Sequence, residues 1–416
     1  MKEAENYKEE LLRHRHYFHM HPELGLEEKE TSAYIKCYLE KLGYEITPVF
    51  PTGMIAELPE LKKRKKTVVV RAEMDGLPME EKTGLPYASV NPGRMHACGH
   101  DGILAVALTL CGILSEEKEE FPVNVRFLFE PAEEIGEGAK RMIKAGALDG
   151  PADAFLMFHF AVDMPFGMAV HEGQASAMIA GIGIEVKGKS SHWSEAHKGI
   201  DSIYAGARVI QEVHDLNESY QGHAPCLVGI GTAHGGEYGN IIADSMTLTG
   251  NIRACREEDF QALYCLLEER LKNTEKETGT KITLSLLKEP VLSFANDSEF
   301  TELAAGIGQE VFGERFILEG EDELFLAGDN AYRYFQRTRG VFLIFLAAVP
   351  GKEYPLHHPK MELDENIFPY SLETVYQMIK KNGKSLLNLR QITGNKRKRE
   401  KANGKTWRKS AMGGSL

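Results

Sequence analysis

Short β-branched runs alternate with helix-patterned segments through most of this chain, and that alternation leaves few architectures open. The runs TVVVRA (67–72), VNVRFLF (123–129), DAFLMF (153–158) and VFLIFL (341–346) are too short for helices and rich in Val, Ile and Phe. Between them, 28–42 places Tyr34, Ile35, Tyr38, Leu39 and Leu42 at helical spacing before Gly43 stops it. The apolar stretch 103–114 reads as a buried helix, and 136–145 as a further helix. An α/β sandwich around a largely buried sheet is expected. The pattern changes after Gly173. Strand (180–187), helix (200–215), two strands (226–232 and 244–253), helix (257–277) and strand (281–287) follow one another. This βαββαβ order is the ferredoxin-like unit of about 110 residues, inserted because α/β character resumes near Asn296. The expected division is a discontinuous domain of residues 1–176 and 292–390, an inserted domain of 177–291, and a tail of 391–416.

Charge and composition exclude several classes. A net charge of −12 argues against nucleic-acid or anionic-membrane partners. The tail runs the other way, with eight basic residues against Glu400, and is expected to be a disordered, solvated extension. No run of about 18 uncharged apolar residues offers a membrane span. The first residues, MKEAENYKEELLRHRHYF, hold no apolar signal core, and the six cysteines form no CxxC pair. Both point to a soluble protein with reduced thiols in a cytoplasm.

Potential metal ligands cluster where strands should end. TVVVRA leads to Asp75, VNVRFLF to Glu133 and Glu134, DAFLMF to His159, and VFLIFL through a loop to His357 and His358. The carboxyl ends of strands surround the ligand crevice of open α/β sheets. MHACGHD (95–101) adds Cys98 and His100, two apart in a Gly-containing turn beside His96 and Asp101. A lone Cys98 reads as a buried thiol; in this company it reads as a ligand. Thiolate, imidazole and carboxylate donors suit zinc well, and manganese, nickel or cobalt also fit. One of the adjacent carboxylates Glu133 and Glu134 can bind metal while its neighbour stays free as a base. Acidic residues also favour a helix N-terminus, and both roles are compatible. HRHYFHMH (14–21) looks like a metal site but reads as one helix ending at Pro22.

The blocks HPELGLEEKETS, RAEMDGLP, MHACGHD, EPAEE, FHF and LHHP, in that order, resemble the aminoacylase, hippurate-hydrolase and auxin-conjugate amidohydrolase family of co-catalytic metallopeptidases. The resemblance covers about residues 10–385. It implies that Cys98, His100, Glu134, His159 and His357 hold two divalent cations, and that Glu133 is the general base. It selects His357 over His358. The inserted unit then corresponds to a lid that also makes homodimer contacts. Its His192 corresponds to the oxyanion-stabilising histidine, and Asn240 and Arg253 to residues at the substrate's carboxylate end. An Arg fork suits a carboxylate. Asp75 and Asp101 are expected to orient imidazoles. The implied activity is hydrolysis of small N-acetyl- or N-benzoyl-type N-acyl amino acids. A dipeptidase or carboxypeptidase on the same scaffold, or a catalytically silent binding relative, are the alternatives. The chain departs from the usual pattern at Glu73, Ile103, Glu130, Trp193, Ser194, Ala196, Gly328 and Asn330. Those positions bear on acyl and amine specificity.

Overall fold

The computed structural model describes residues 4–320, 324–352, 354–381 and 383–384. The basic tail, and residues 385–390 of the expected discontinuous domain, lie outside the described residues.

The chain opens with helices α1 (Lys8–Met20) and α2 (Lys29–Lys41), then a hairpin of β1 (Glu45–Val49) and β2 (Gly53–Glu57). Strand β3 (Thr67–Glu73), helix α3 (His100–Glu116), strand β4 (Asn124–Glu130), helix α4 (Gly138–Lys144) and strands β5 (Ala154–Pro165) and β6 (Gly167–His171) follow. Next come β7 (Met178–Lys187), β8 (Ser191–His192), α5 (Ser202–Ser219), β9 (Cys226–Gly235), β10 (Ile241–Ile242), β11 (Ser245–Ala254), α6 (Glu257–Thr278) and β12 (Lys281–Leu286). The last elements are α7 (Ser298–Phe312), β13 (Phe316–Glu319), α8 (Tyr332–Phe335), β14 (Gly340–Ala348) and a helix at 367–381.

Eight strands form one sheet in the order β1-β2-β4-β3-β5-β14-β6-β13. Its centre, β4-β3-β5-β14, is parallel. Every residue of β3 and β4 is buried, as expected of strands covered on both faces. The two-residue period sorts them. Val68, Val70, Ala72, Val125, Phe127 and Phe129 face a core shared with α1, α2, α3, α7 and the 367–381 helix. Val69 and Leu128 face a second core with α4 and α8. Arg71, Glu73 and Glu130 fall on that second face by the same alternation.

A separate four-stranded sheet, β12-β7-β11-β9, is antiparallel throughout. This is the βαββαβ order expected from the sequence. Met178, Ala180, Ile182, Ile184 and Val186 of β7 alternate onto the face that α5 and α6 cover. The fold is therefore an α/β sandwich carrying a ferredoxin-like insertion. Among the described residues, no helix is long and apolar enough to cross a membrane.

Several features went unforeseen, among them the β1–β2 hairpin, strands β6 and β13, helices α7 and α8 and the β8–β10 ribbon. The strands have two to five residues each, too few to establish a period. Strand β5 also runs to Pro165 rather than ending near 158, so His159 lies inside a strand and not after it. Pairing with β14 continues past that point and sustains the extension.

Candidate metal centre

Five elements deliver the clustered side chains. Asp75 follows β3, Cys98 and His100 sit at the start of α3, Glu133 and Glu134 follow β4, His159 rides on β5, and His357 follows β14. The turn into α3 is possible because Gly99, at φ 83°, takes the left-handed conformation. Of the three non-glycine residues described in that strained region, two are at the site: Ala132 (φ 56°) immediately before the Glu pair and His357 itself (φ 63°). Both are held from outside. The Ala132 N–H donates to buried Glu28 Oε1 at 2.8 Å, and the His357 N–H donates to Ala97 O at 2.8 Å. Glu28 is in turn fixed by Thr52 Oγ1 at 2.5 Å.

The donor atoms converge. Cys98 Sγ lies 3.5 Å from His159 Nε2 and 3.3 Å from His357 Nε2, which is 3.5 Å from Glu134 Oε2. Three groups each bring their ligand atoms within 4.8 Å of one another: Cys98–His100–His159, Cys98–Glu134–His357 and His100–Glu133–Glu134. The first two share the Cys98 sulfur. His159 donates from Nδ1 to Phe160 O at 2.8 Å, and His100 from Nδ1 to Asp75 O at 2.9 Å. In the neutral imidazole each Nε2 then carries the free lone pair, the state a metal ligand needs. Asp75 also accepts the Glu133 and Glu134 backbone N–H groups at 3.1 and 3.0 Å, which ties the Glu turn to His100. Glu134 Oε1 is buried without a hydrogen-bond partner among the described residues. An orphaned carboxylate oxygen beside a thiol and three imidazoles fits divalent cations.

Burial and neighbouring charges shift four of these groups, His100 in the opposite sense to the other three. Burial pushes the Cys98 thiol well up. Burial, then Asp329, raises Glu133 well above the carboxylate range, against the opposing charges of Arg71 and His100. Burial, then the His100 charge, lowers His159 to about 4. His100 itself is raised, because Cys98 and Asp75 outweigh the effect of its burial.

A profile of peptidase family M20/M25/M40 matches residues 69–381. The chain belongs to this family. It is thus a hydrolase of the M20 type. N-acetylcysteine deacetylase of Bacillus subtilis (strain 168) is 32% identical over 366 residues, covering 85% of this chain and 92% of the relative. N-acetyldiaminopimelate deacetylase of Streptococcus uberis is 29% identical over 90% of this chain and 99% of its own length. The crystal structure of the Bacillus subtilis YXEP protein, described as a dinuclear metal binding peptidase from the M20 family, superposes with a TM-score of 0.77. It is 27% identical, covering 91% of this chain and 99% of that one.

The remaining residues singled out in the sequence sit elsewhere. Asp101 Oδ2 lies 2.8 Å from His19 Nδ1 and 3.2 Å from Arg15 Nε. The start of α3 turns its side chain toward α1, away from the centre. His192 and Asn240 are exposed and lie at the small ribbon, where His192 pairs with Ile241 and the Trp193 N–H donates to Asn240 O at 3.2 Å. His192 Nδ1 contacts Ser194 Oγ at 2.7 Å. Arg253 donates from Nε to Asn251 Oδ1 (3.0 Å) and from Nη1 to Leu326 O (2.9 Å). None of these three belongs to the ligand groups above. His358 stacks on Tyr354 with centroids 4.7 Å apart and accepts the Lys360 N–H, so it faces away from Cys98. The histidines of α1 are engaged with Tyr34, Glu365, Asp101, Glu81 and the Tyr17 carbonyl.

Two residues were missed. Glu28 was visible only as part of a motif block. Arg71 left a better signal: a cation in the middle of a fully buried strand must have partners.

Proposed function

We propose that this chain hydrolyses the amide bond of small N-acyl amino acids, with Glu133 as general base beside two divalent cations. The observation that carries this reading is the pair of ligand groups sharing Cys98, with the Glu133 carboxylate at their edge. Cys98, His100 and His159 would hold one cation, and Cys98, Glu134 and His357 the other. The thiolate favours zinc, and manganese, cobalt or nickel are compatible with the mixed donors. Bound there, the cations supply Lewis acidity that makes a water acidic and polarises a carbonyl.

The protein side chains divide the rest of the work. Glu133 takes the proton from the attacking water and returns it to the departing amine nitrogen. Asp75 keeps the Glu turn and His100 in register. His192, carried on the inserted lid of residues 177–291, donates to the oxyanion of the tetrahedral intermediate. Asn240 and Arg253 take the substrate carboxylate, Arg253 through the edge of its fork not committed to Leu326 and Asn251. The names of the deacetylase relatives support an acetyl group and an amino-acid amine. Exposed Ile203, Tyr204 and Ile210 on α5 support a homodimer through the lid. The six unpaired cysteines agree with a cytoplasmic location.

The deciding assay compares N-acetyl and N-benzoyl amino acids with unmodified dipeptides on protein loaded with zinc or manganese. Acylated amino acids should be preferred, and Glu133→Gln should retain the cations while losing turnover. Equal turnover by that variant removes Glu133 from the base role; preference for dipeptides selects the peptidase reading instead.

A further inference from the structure

Arg71 is fully buried behind the Glu133–Glu134 turn, and all of its polar reach is used. Nε donates to Glu130 Oε2 at 2.8 Å and Nη2 to Glu130 Oε1 at 3.2 Å. Nη1 donates to Asp329 Oδ2 at 2.9 Å, and Nη2 to Asn330 Oδ1 at 3.1 Å. Glu73 Oε1 faces Nη1 at 2.8 Å, and Glu133 Oε1 lies 4.0 Å from Nη2. Tyr334 closes the cluster by donating to Glu130 Oε2 at 2.7 Å. A buried charge network of this kind is weak evidence for stability, because desolvation offsets most of its attraction. What it does supply is fixed geometry.

The partners of Arg71 at one edge belong to a strap of irregular chain, residues 324–330, that is anchored at both ends. At the lid end, Arg253 Nη1 donates to Leu326 O at 2.9 Å and the Ala177 N–H donates to Ala327 O at 2.7 Å. Gly328 lies so close to β7 that a Cβ there would stand 2.8 Å from Ala177 O and 2.9 Å from the Ile179 side chain. At the other end, Asn330 Nδ2 reaches the Glu133 carbonyl at 3.4 Å. Glu73, Glu130, Gly328 and Asn330 are all departures from the family's usual residues, and all belong to this hub or its strap.

We infer that Arg71 is a positioning residue for Glu133: its guanidinium locks the 324–330 strap against the Glu133–Glu134 turn, so that the base is placed from the lid side. The inference rests on the base role proposed for Glu133. It requires a planar fork, since three partners lie in different directions around one side chain, and a lysine offers a single point charge. Asn330 is the second half of the device, accepting from Arg71 and donating to the turn.

The test uses Arg71→Lys, Asn330→Ala and the double variant in the full chain, loaded with zinc. Four quantities are read: kcat, KM, cations bound per chain, and hydrogen–deuterium exchange of residues 131–138. Each single variant should lose about ten- to a hundredfold in kcat, the scale of a small displacement of a catalytic group. KM should stay within about twofold, cation content should be unchanged, and the 131–138 amides should exchange faster. The double variant should be no worse than the weaker single, as for two links of one chain. Unchanged kcat and exchange in either folded single variant overturns the inference, as does a loss that tracks cation content, or fully multiplicative losses. If Arg71→Lys does not fold, Asn330→Ala carries the test alone. The exchange readout needs no substrate, so a wrong substrate class would silence the kinetics of wild type and variants alike while leaving the hub testable.

Discussion

Glu28 lies far along the chain from every donor of the metal centre, yet its buried carboxylate holds the strained Ala132 N–H beside the Glu pair. Burial raises its pKa, and the Thr52 hydroxyl only partly opposes this. Truncation by Glu28→Ala leaves a buried N–H unpaired, so urea denaturation should show a loss of about 1–3 kcal/mol. A stability within a few tenths of a kcal/mol of wild type would remove Glu28 from this role. The two adjacent histidines provide a second contrast at this scale. His357 Nε2 meets Cys98 Sγ at 3.3 Å, whereas His358 is stacked on Tyr354. His357→Ala should therefore weaken cation binding by at least about tenfold, measured by competition with a chromophoric chelator, and His358→Ala should leave it nearly unchanged. The donors themselves were readable one by one from residue type and context. Arg71 and Glu28 were not read, because their partners are 59 and 104 residues distant and no local spacing encodes such contacts.

At the scale of elements, the inserted lid is tied together by Asp259 in the first turn of α6. Its buried carboxylate accepts from the His223 and Ala224 N–H groups at 3.0 and 3.1 Å and from Tyr220 Oη at 2.9 Å, fixing the loop between α5 and β9. Burial alone would raise its pKa, but the His223 and Tyr220 hydrogen bonds outweigh this and hold it below the ordinary aspartate value. Asp259→Asn should cost the lid about 1–3 kcal/mol. Because the folded pKa is depressed, the carboxylate's contribution is complete above the unfolded value near 3.9 and is lost as pH falls through the folded one. The gap between wild type and variant in thermal melts should thus be widest near neutrality and narrow in acid. A gap that widens on acidification would contradict this. Helices α5 and α6 were legible because their apolar faces repeat several times, and α3 because its apolar run is too long for a strand. Strands β6 and β13 were not, since five and four residues carry no period and gain their identity only from neighbours in the sheet.

For the whole molecule, the candidate metal centre draws on distant segments: the chain after β3, β4 and β14, the start of α3 and the interior of β5 each bring a side chain to it. Cations that bind only this folded arrangement should stabilise it by mass action, about 2.7 kcal/mol at a hundredfold excess over Kd. Zinc titration of chelator-stripped protein should raise Tm, and Cys98→Ala should flatten the response. An unchanged Tm on saturation would mean that the segments are not joined through bound cations. Sequence alone determined the layered α/β class, the βαββαβ insertion and the residue types of the donor set, because periodicity and donor chemistry are local properties. Tertiary structure decided which groups meet: Glu28 on Ala132, Asp101 on His19, and Arg71 beneath Glu133. Those choices depend on which faces the strands and loops present once packed, and that is settled by contacts between residues tens to hundreds of positions apart.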